Sequence, residues 1–149
     1  MIRPLFSGEV VLMTEGGKRF FEEGKLPGKF NSEHFTTCWV DYITSGTGEA
    51  FGMFDESTGE LEGALGAIFY TDPLTGDKVA TEMFWFVFPE HRGDGLKLLN
   101  HYLERAQERD CARCYMIHLE GLHPDALKRV YEHKGFRLIE TGYMKEFTK

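Results

Sequence analysis

The run Val79–Phe88, Val-Ala-Thr-Glu-Met-Phe-Trp-Phe-Val-Phe, constrains this chain more than any other stretch. It is rich in aromatic and β-branched residues and holds no Gly or Pro, which suits a central strand covered on both faces. Pro89 ends it, and Gly93 and Gly95 follow in a short polar loop. The apolar period then changes: Leu96, Leu99, Tyr102, Leu103 and Ala106 recur at helical spacing. A buried strand passing through a glycine-bearing loop into an amphipathic helix requires a sheet with helices packed on its faces.

The remaining segments extend that picture. Glu9–Met13 reads as a short first strand, and Thr14–Glu23 as a helix despite Gly16-Gly17. Leu26-Pro27-Gly28 breaks it. Ser32 is the expected N-cap of a second helix, with Phe35, Cys38, Trp39, Tyr42 and Ile43 on one face. Ala50–Phe54 and Leu61–Tyr70 flank a turn at Asp55–Gly59, a hairpin pattern. Beyond the helix that starts near Leu96, Tyr115–Leu119 reads as a strand and Pro124 as the first residue of a helix that Gly135 stops. Phe136–Glu140 and Tyr143–Phe147 read as two closing strands. The predicted class is α/β with a mixed α+β sheet, in one domain spanning 1–149, since a chain of this length leaves little room for a second.

Net charge narrows the partners. At −7 overall, the chain disfavours nonspecific contact with nucleic acid or anionic membrane. The charge is uneven: residues 1–90 carry 6 Lys plus Arg against 15 Asp plus Glu, and residues 91–149 carry 11 against 9. No apolar run approaches the roughly 20 residues that cross a bilayer. The start Met1-Ile2-Arg3-Pro4 has no signal-peptide pattern, so a cytoplasmic location is expected. Three cysteines, Cys38, Cys111 and Cys114, argue against a disulfide framework. The lone Cys-x-x-Cys lacks the second pair that a zinc site wants, and His118 and His123 lack the spacing of a helical metal pair, so no metal is expected.

The stretch that carries chemistry is Val87–Leu99. A strand, a glycine-bearing loop and a helix start aim backbone N–H groups and the positive helix end at one spot, which suits an anion. It is neither a dinucleotide G-x-G-x-x-G, since Leu98 stands at the third glycine, nor a P-loop.

Pro89-Glu90-His91-Arg92-Gly93-Asp94-Gly95 resembles the acyl-CoA signature P-E-x-R-G-x-G of the GNAT N-acetyltransferase family. His123–Phe136 resembles that family's later motif N-x-x-A-x-x-x-x-Y-x-x-x-G-F, with His123 in place of Asn. The resemblance implies the GNAT fold: a central, mostly antiparallel sheet whose fourth and fifth strands splay apart, flanked by about four helices. It implies acetyl-CoA as co-substrate and a primary amine as acceptor. Backbone amides of Arg92, Gly93, Asp94, Gly95, Leu96 and Lys97 would cradle the pyrophosphate. The edge of Phe86, Val87 and Phe88 would pair with the pantetheine arm, and His123 would stand beside it.

By the same resemblance Glu82 occupies the place of a carboxylate base, and Tyr131 that of a tyrosine that protonates the departing thiolate. Each has a plainer reading: Glu82 as a residue facing away from the cleft, Tyr131 as a core tyrosine with a satisfied hydroxyl. Lys97 either faces the 3′-phosphate or is solvated. Trp85 and its aromatic neighbours read as core. The acidic first part favours a cationic acceptor, a protein lysine, an N-terminus or a small amine, or else is a solvated surface. Exposed sheet edges leave room for two copies to pair. Compact chains with W-F-V-x-P-E-x-R-G resemble ones common in bacteriophage genomes. That leaves two further readings: a CoA-binding or host-interaction protein without catalysis, and an enzyme acting on a modified nucleobase amine.

Overall fold

The computed structural model describes residues 1–119 and 124–148. Five strands form one sheet in chain order: β1 (Ile2–Pro4), β2 (Gly48–Phe54), β3 (Leu61–Thr71), β4 (Lys78–Val87) and β5 (Arg113–Tyr115). All neighbours are antiparallel except β4 and β5, which run parallel. Four α-helices, α1 (Thr14–Glu23), α2 (Ser32–Ser45), α3 (Gly95–Glu108) and α4 (Pro124–His133), accompany the sheet. This mixed sheet is the class the sequence predicts.

Two cores lie on the sheet's two faces. On one, α3 lays Leu98, Leu99, Tyr102 and Ala106 against Phe51, Leu65, Ala67 and Ala80. On the other, Val10, Met13 and Trp39 meet Ala50, Ala64 and Phe84. The glycine pair in α1 has a packing reason. A Cβ on Gly16 would lie 3.2 Å from the Phe86 ring, and one on Gly17 would lie 2.7 Å from the Phe35 ring. The helix approaches its neighbours closely because those two side chains are missing.

The structure departs from the sequence pattern at several places. Glu9–Met13 is not a strand: Ser7–Met13 forms a 3-10 helix. Val10 and Met13, three apart, point inward while Val11 and Leu12 are exposed, which suits three residues per turn. The first strand is instead Ile2–Pro4, on the sheet edge where Pro is tolerated. The N-cap of α2 is Asn31 rather than Ser32, its side chain accepting from the His34 N–H at 2.9 Å.

The strand expected at Tyr115–Leu119 is displaced to Arg113–Tyr115, and residues 116–119 leave the ladder. Residues 136–148 form neither of the two expected closing strands. Leu138, Ile139, Tyr143, Met144 and Phe147 are exposed there. Apolar and aromatic residues make a strand only where a ladder accepts them, and β5 offers three residues. Among the described residues no helix is long and apolar enough to cross a membrane.

Candidate active site

The site forms where β4 and β5 part. Their pairing covers Val79–Thr81 against Arg113–Tyr115, so among the described residues β4 runs on through Glu82–Val87 with that edge open. A β-bulge interrupts β4 just past the split. Ala67 faces Glu82 and Gly66 faces Phe84, so Met83 is the extra residue. Gly66 fits the bulge because a Cβ there would come within 2.5 Å of Phe84 and of Trp39.

Glu82 sits at the vertex, 2% exposed. Burial alone pushes its carboxyl from the ordinary 4.5 up to about 8. Its Oε2 and the Trp85 Nε1 are the two buried side-chain polar atoms without a hydrogen-bond partner among the described residues. Both residues line one cavity of about 30 Å³ with Phe20, Ile117, Leu127 and Tyr131. That volume exceeds the roughly 10–15 Å³ a water needs, so a water or a small reacting group fits beside the carboxyl. Glu82 is thus buried and lines this cavity rather than lying exposed on the sheet.

Tyr131 is also buried, and its hydroxyl donates to the Ile117 carbonyl over a long 3.4 Å. Burial, then the neighbouring Glu82 carboxylate, pushes the phenol above its usual value, so it stays protonated. Glu82 and Tyr131, 49 positions apart in the sequence, thus meet in one cavity.

The open edge of β4 is narrower than expected. The Phe88 N–H donates to the Glu62 carbonyl at 2.9 Å. Alternation along an antiparallel pair then turns the backbone groups of Phe86 toward β3 as well. Trp85 and Val87 present theirs to the open side. The Phe86 side chain is buried under α1 beside Gly16. The Val87 carbonyl already accepts from Arg92 Nε at 3.0 Å, and the same guanidinium grips both Glu23 oxygens at 2.9 Å.

The loop before α3 is wound. Pro89–Asp94 forms a 3-10 helix that runs into α3 at Gly95. The His91 N–H donates to the Phe88 carbonyl, as that winding requires. Gly93 faces open space, whereas Gly95 is buried, and a Cβ there would lie 3.3 Å from Val87 Cγ2. Of the two glycines, Gly93 leaves its backbone approachable, and Gly95 lets α3 close on β4. Leu96 is exposed, and Lys97 is paired with Asp94 at 3.0 Å. His123 lies outside the described residues.

These features fit the acyl end of a CoA thioester. An open strand edge leads to an apolar cavity whose lining residues include one buried acceptor and one buried donor with no partner among the described residues, near a helix N-terminus. Trp85 packs against the core on the α3 face, as the sequence suggests, and it also lines the cavity, which the sequence does not reveal. The only available signal was its place three residues after Glu82, informative once the bulge is known.

A family model described as the Acetyltransferase (GNAT) family matches residues 19–136. Among solved structures, a predicted acetyltransferase from Clostridium acetobutylicum, solved with acetyl-CoA, is 15% identical. It superposes with a TM-score of 0.77 over 99% of this chain and 95% of its own. A ribosomal-protein-alanine N-acetyltransferase from Brucella melitensis is 17% identical, with a TM-score of 0.73 over 99% of both chains. A glucosamine-6-phosphate N-acetyltransferase from Arabidopsis thaliana is 16% identical, with a TM-score of 0.73 over 99% of this chain and 98% of its own. At these identities the likeness is one of fold. Among curated proteins no sequence match was found.

Proposed function

The chain belongs to the GNAT acetyltransferase family, and we propose that it transfers the acetyl group of acetyl-CoA to a primary amine by direct attack. The observation that carries this reading is the buried, unpartnered Glu82 carboxyl in the cavity where β4 and β5 part.

Direct attack needs a deprotonated amine, a polarised carbonyl, a stabilised leaving group and aligned reactants. Glu82, with its carboxyl near 8, is close to the pH at which a general base works best. An alkylammonium, ordinarily near 10.4, loses its proton more readily once it enters an apolar cavity. Glu82 accepts that proton, directly or through one water.

Tyr131 acts on the leaving side. Its phenol lies above the usual value of about 10, and a free thiol lies near 8.5, so full transfer to the thiolate runs uphill. The hydroxyl instead leaves its long bond to Ile117 and donates a hydrogen bond to the sulfur as charge develops. The β4 edge at Trp85 and Val87 takes the pantetheine arm. The start of α3, with the open backbone at Gly93, takes the pyrophosphate. Arg92 must leave Val87, and Lys97 must leave Asp94, for their charges to serve the phosphates.

The acceptor is a cationic amine. The acidic balance of residues 1–90, 15 Asp plus Glu against 6 Lys plus Arg, favours an ammonium, and Phe20 of α1 lines the cavity. The test is thiol release from acetyl-CoA over a panel of polyamines, lysine peptides, free N-termini and amino sugars. Turnover with at least one supports the reading, and binding without turnover on any of them refutes it.

A further inference from the structure

We propose that the indole N–H of Trp85 is a catalytic hydrogen-bond donor to the acyl oxygen during transfer. This rests on the reading of the cavity as the place where thioester and amine meet.

The bulge makes the arrangement. In a regular strand, residues three apart point to opposite faces. The extra residue Met83 restores Glu82 and Trp85 to the same face, and both line one cavity with Tyr131. Trp85 is therefore aimed at the site by a backbone irregularity, and bulges of this kind re-aim side chains beside active sites.

The polarity of the pair is the second observation. Buried donors and acceptors are normally partnered. Here one buried acceptor, Glu82 Oε2, and one buried donor, Trp85 Nε1, belong to two residues that line one cavity, and they bond neither to each other nor to anything else described. The Tyr131 hydroxyl in the same cavity is already directed at Ile117. Aminolysis brings in one group that needs an acceptor, the amine N–H, and one that needs a donor, the carbonyl oxygen. The two orphans match those needs one to one.

The setting is the third. The first turn of α3 covers the indole: a Cβ on Gly95 would lie 3.5 Å from Cζ2 and 3.7 Å from Nε1 of Trp85. The donor is thereby shielded from water, where a hydrogen bond to a developing oxyanion is strongest.

In the transfer step the amine nitrogen bonds to the carbonyl carbon, and the carbonyl π pair moves onto oxygen, held by Trp85 N–H. Glu82, returned to the carboxylate by passing the ammonium proton to solvent before attack, takes the proton that the attacking nitrogen then loses. Return of the pair breaks the carbon–sulfur bond, and the thiolate leaves to take up a proton from solvent or by relay from Glu82.

Two measurements test it. The chain has two tryptophans, Trp39 and Trp85, so an ¹⁵N-labelled sample gives two indole resonances, which Trp85→Phe assigns. Acetyl-CoA should shift the Trp85 resonance and leave that of Trp39, in the core beneath α2, in place. Replacement of Trp85 by 3-benzothienylalanine keeps ring size and removes the N–H. It should lower kcat on the order of 10²-fold with KM for acetyl-CoA little changed, as loss of an oxyanion donor does. If the native chain turns over and the isostere keeps its kcat, the role of Trp85 is overturned while the enzymatic reading stands. A native chain that releases no thiol with any amine sinks that reading first, and this inference with it.

Discussion

Replacing Glu82 by Gln keeps the shape of the protonated carboxyl and removes its titration. The folded carboxyl lies near 8, against 4.5 for an ordinary glutamate. The unfolded chain releases this proton near 4.5 and the folded chain holds it to about 8, so between those values the folded state binds more protons. Stability is therefore fully present below about pH 4.5 and is lost as pH rises toward 8. The slope approaches about 1.4 kcal/mol per pH unit, so the native protein should lose roughly 3 kcal/mol from this group between about pH 5.5 and 8.5. For a chain of this size that is a fall of about 6–12 °C in Tm. The Glu82→Gln variant carries a constant offset from its buried amide but no slope. Thermal melts of both proteins at about pH 5.5, 7.0 and 8.5, without ligand, read the difference and cancel every other titrating group. Parallel curves for the two proteins would refute the burial of an ionisable Glu82.

Three other outcomes follow from the geometry. Tyr131→Phe should lower kcat about 10- to 100-fold, the worth of one hydrogen bond to a charged group, with Tm nearly unchanged because the hydroxyl bond it removes is 3.4 Å long. Steady-state kinetics and a melt check both halves. Gly66→Ala forces a Cβ to within 2.5 Å of Phe84 and Trp39, so chemical denaturation should show a loss of about 1–3 kcal/mol, the usual cost of overpacking. Asp94→Asn releases Lys97 from its carboxylate and should tighten CoA severalfold by calorimetry at low salt, with the gain fading at high salt. An unchanged affinity would remove Lys97 from the phosphate end.

The sequence is legible where a single element decides the outcome. β3, β4, α1, α2 and α3 follow from apolar period and turn residues. So does the strand–loop–helix segment that carries the family signature. What period alone does not reveal depends on partners. Val10 and Met13 satisfy both an alternating and a three-residue pattern until their neighbours choose between them. Residues 136–147 hold several apolar and aromatic residues of the kind strands use, yet no described ladder takes them. The bulge at Met83 is set by Gly66 on the facing strand, so the joint orientation of Glu82 and Trp85 is invisible in β4 alone. Arg92 belongs to a signature read as a backbone cradle, and its side chain, on which that reading is silent, ties α1 to the open edge of β4 through Glu23 and Val87.

The most direct test of the account is the pH profile of kcat/KM for thiol release from acetyl-CoA, compared between the native protein and Glu82→Gln. The native rate should climb with pH and level off above a midpoint close to 8, the value at which the buried carboxyl ionises. The variant should be slow and lack that limb. A variant that matches the native rate and keeps the same rise would contradict the assignment of Glu82 as the base.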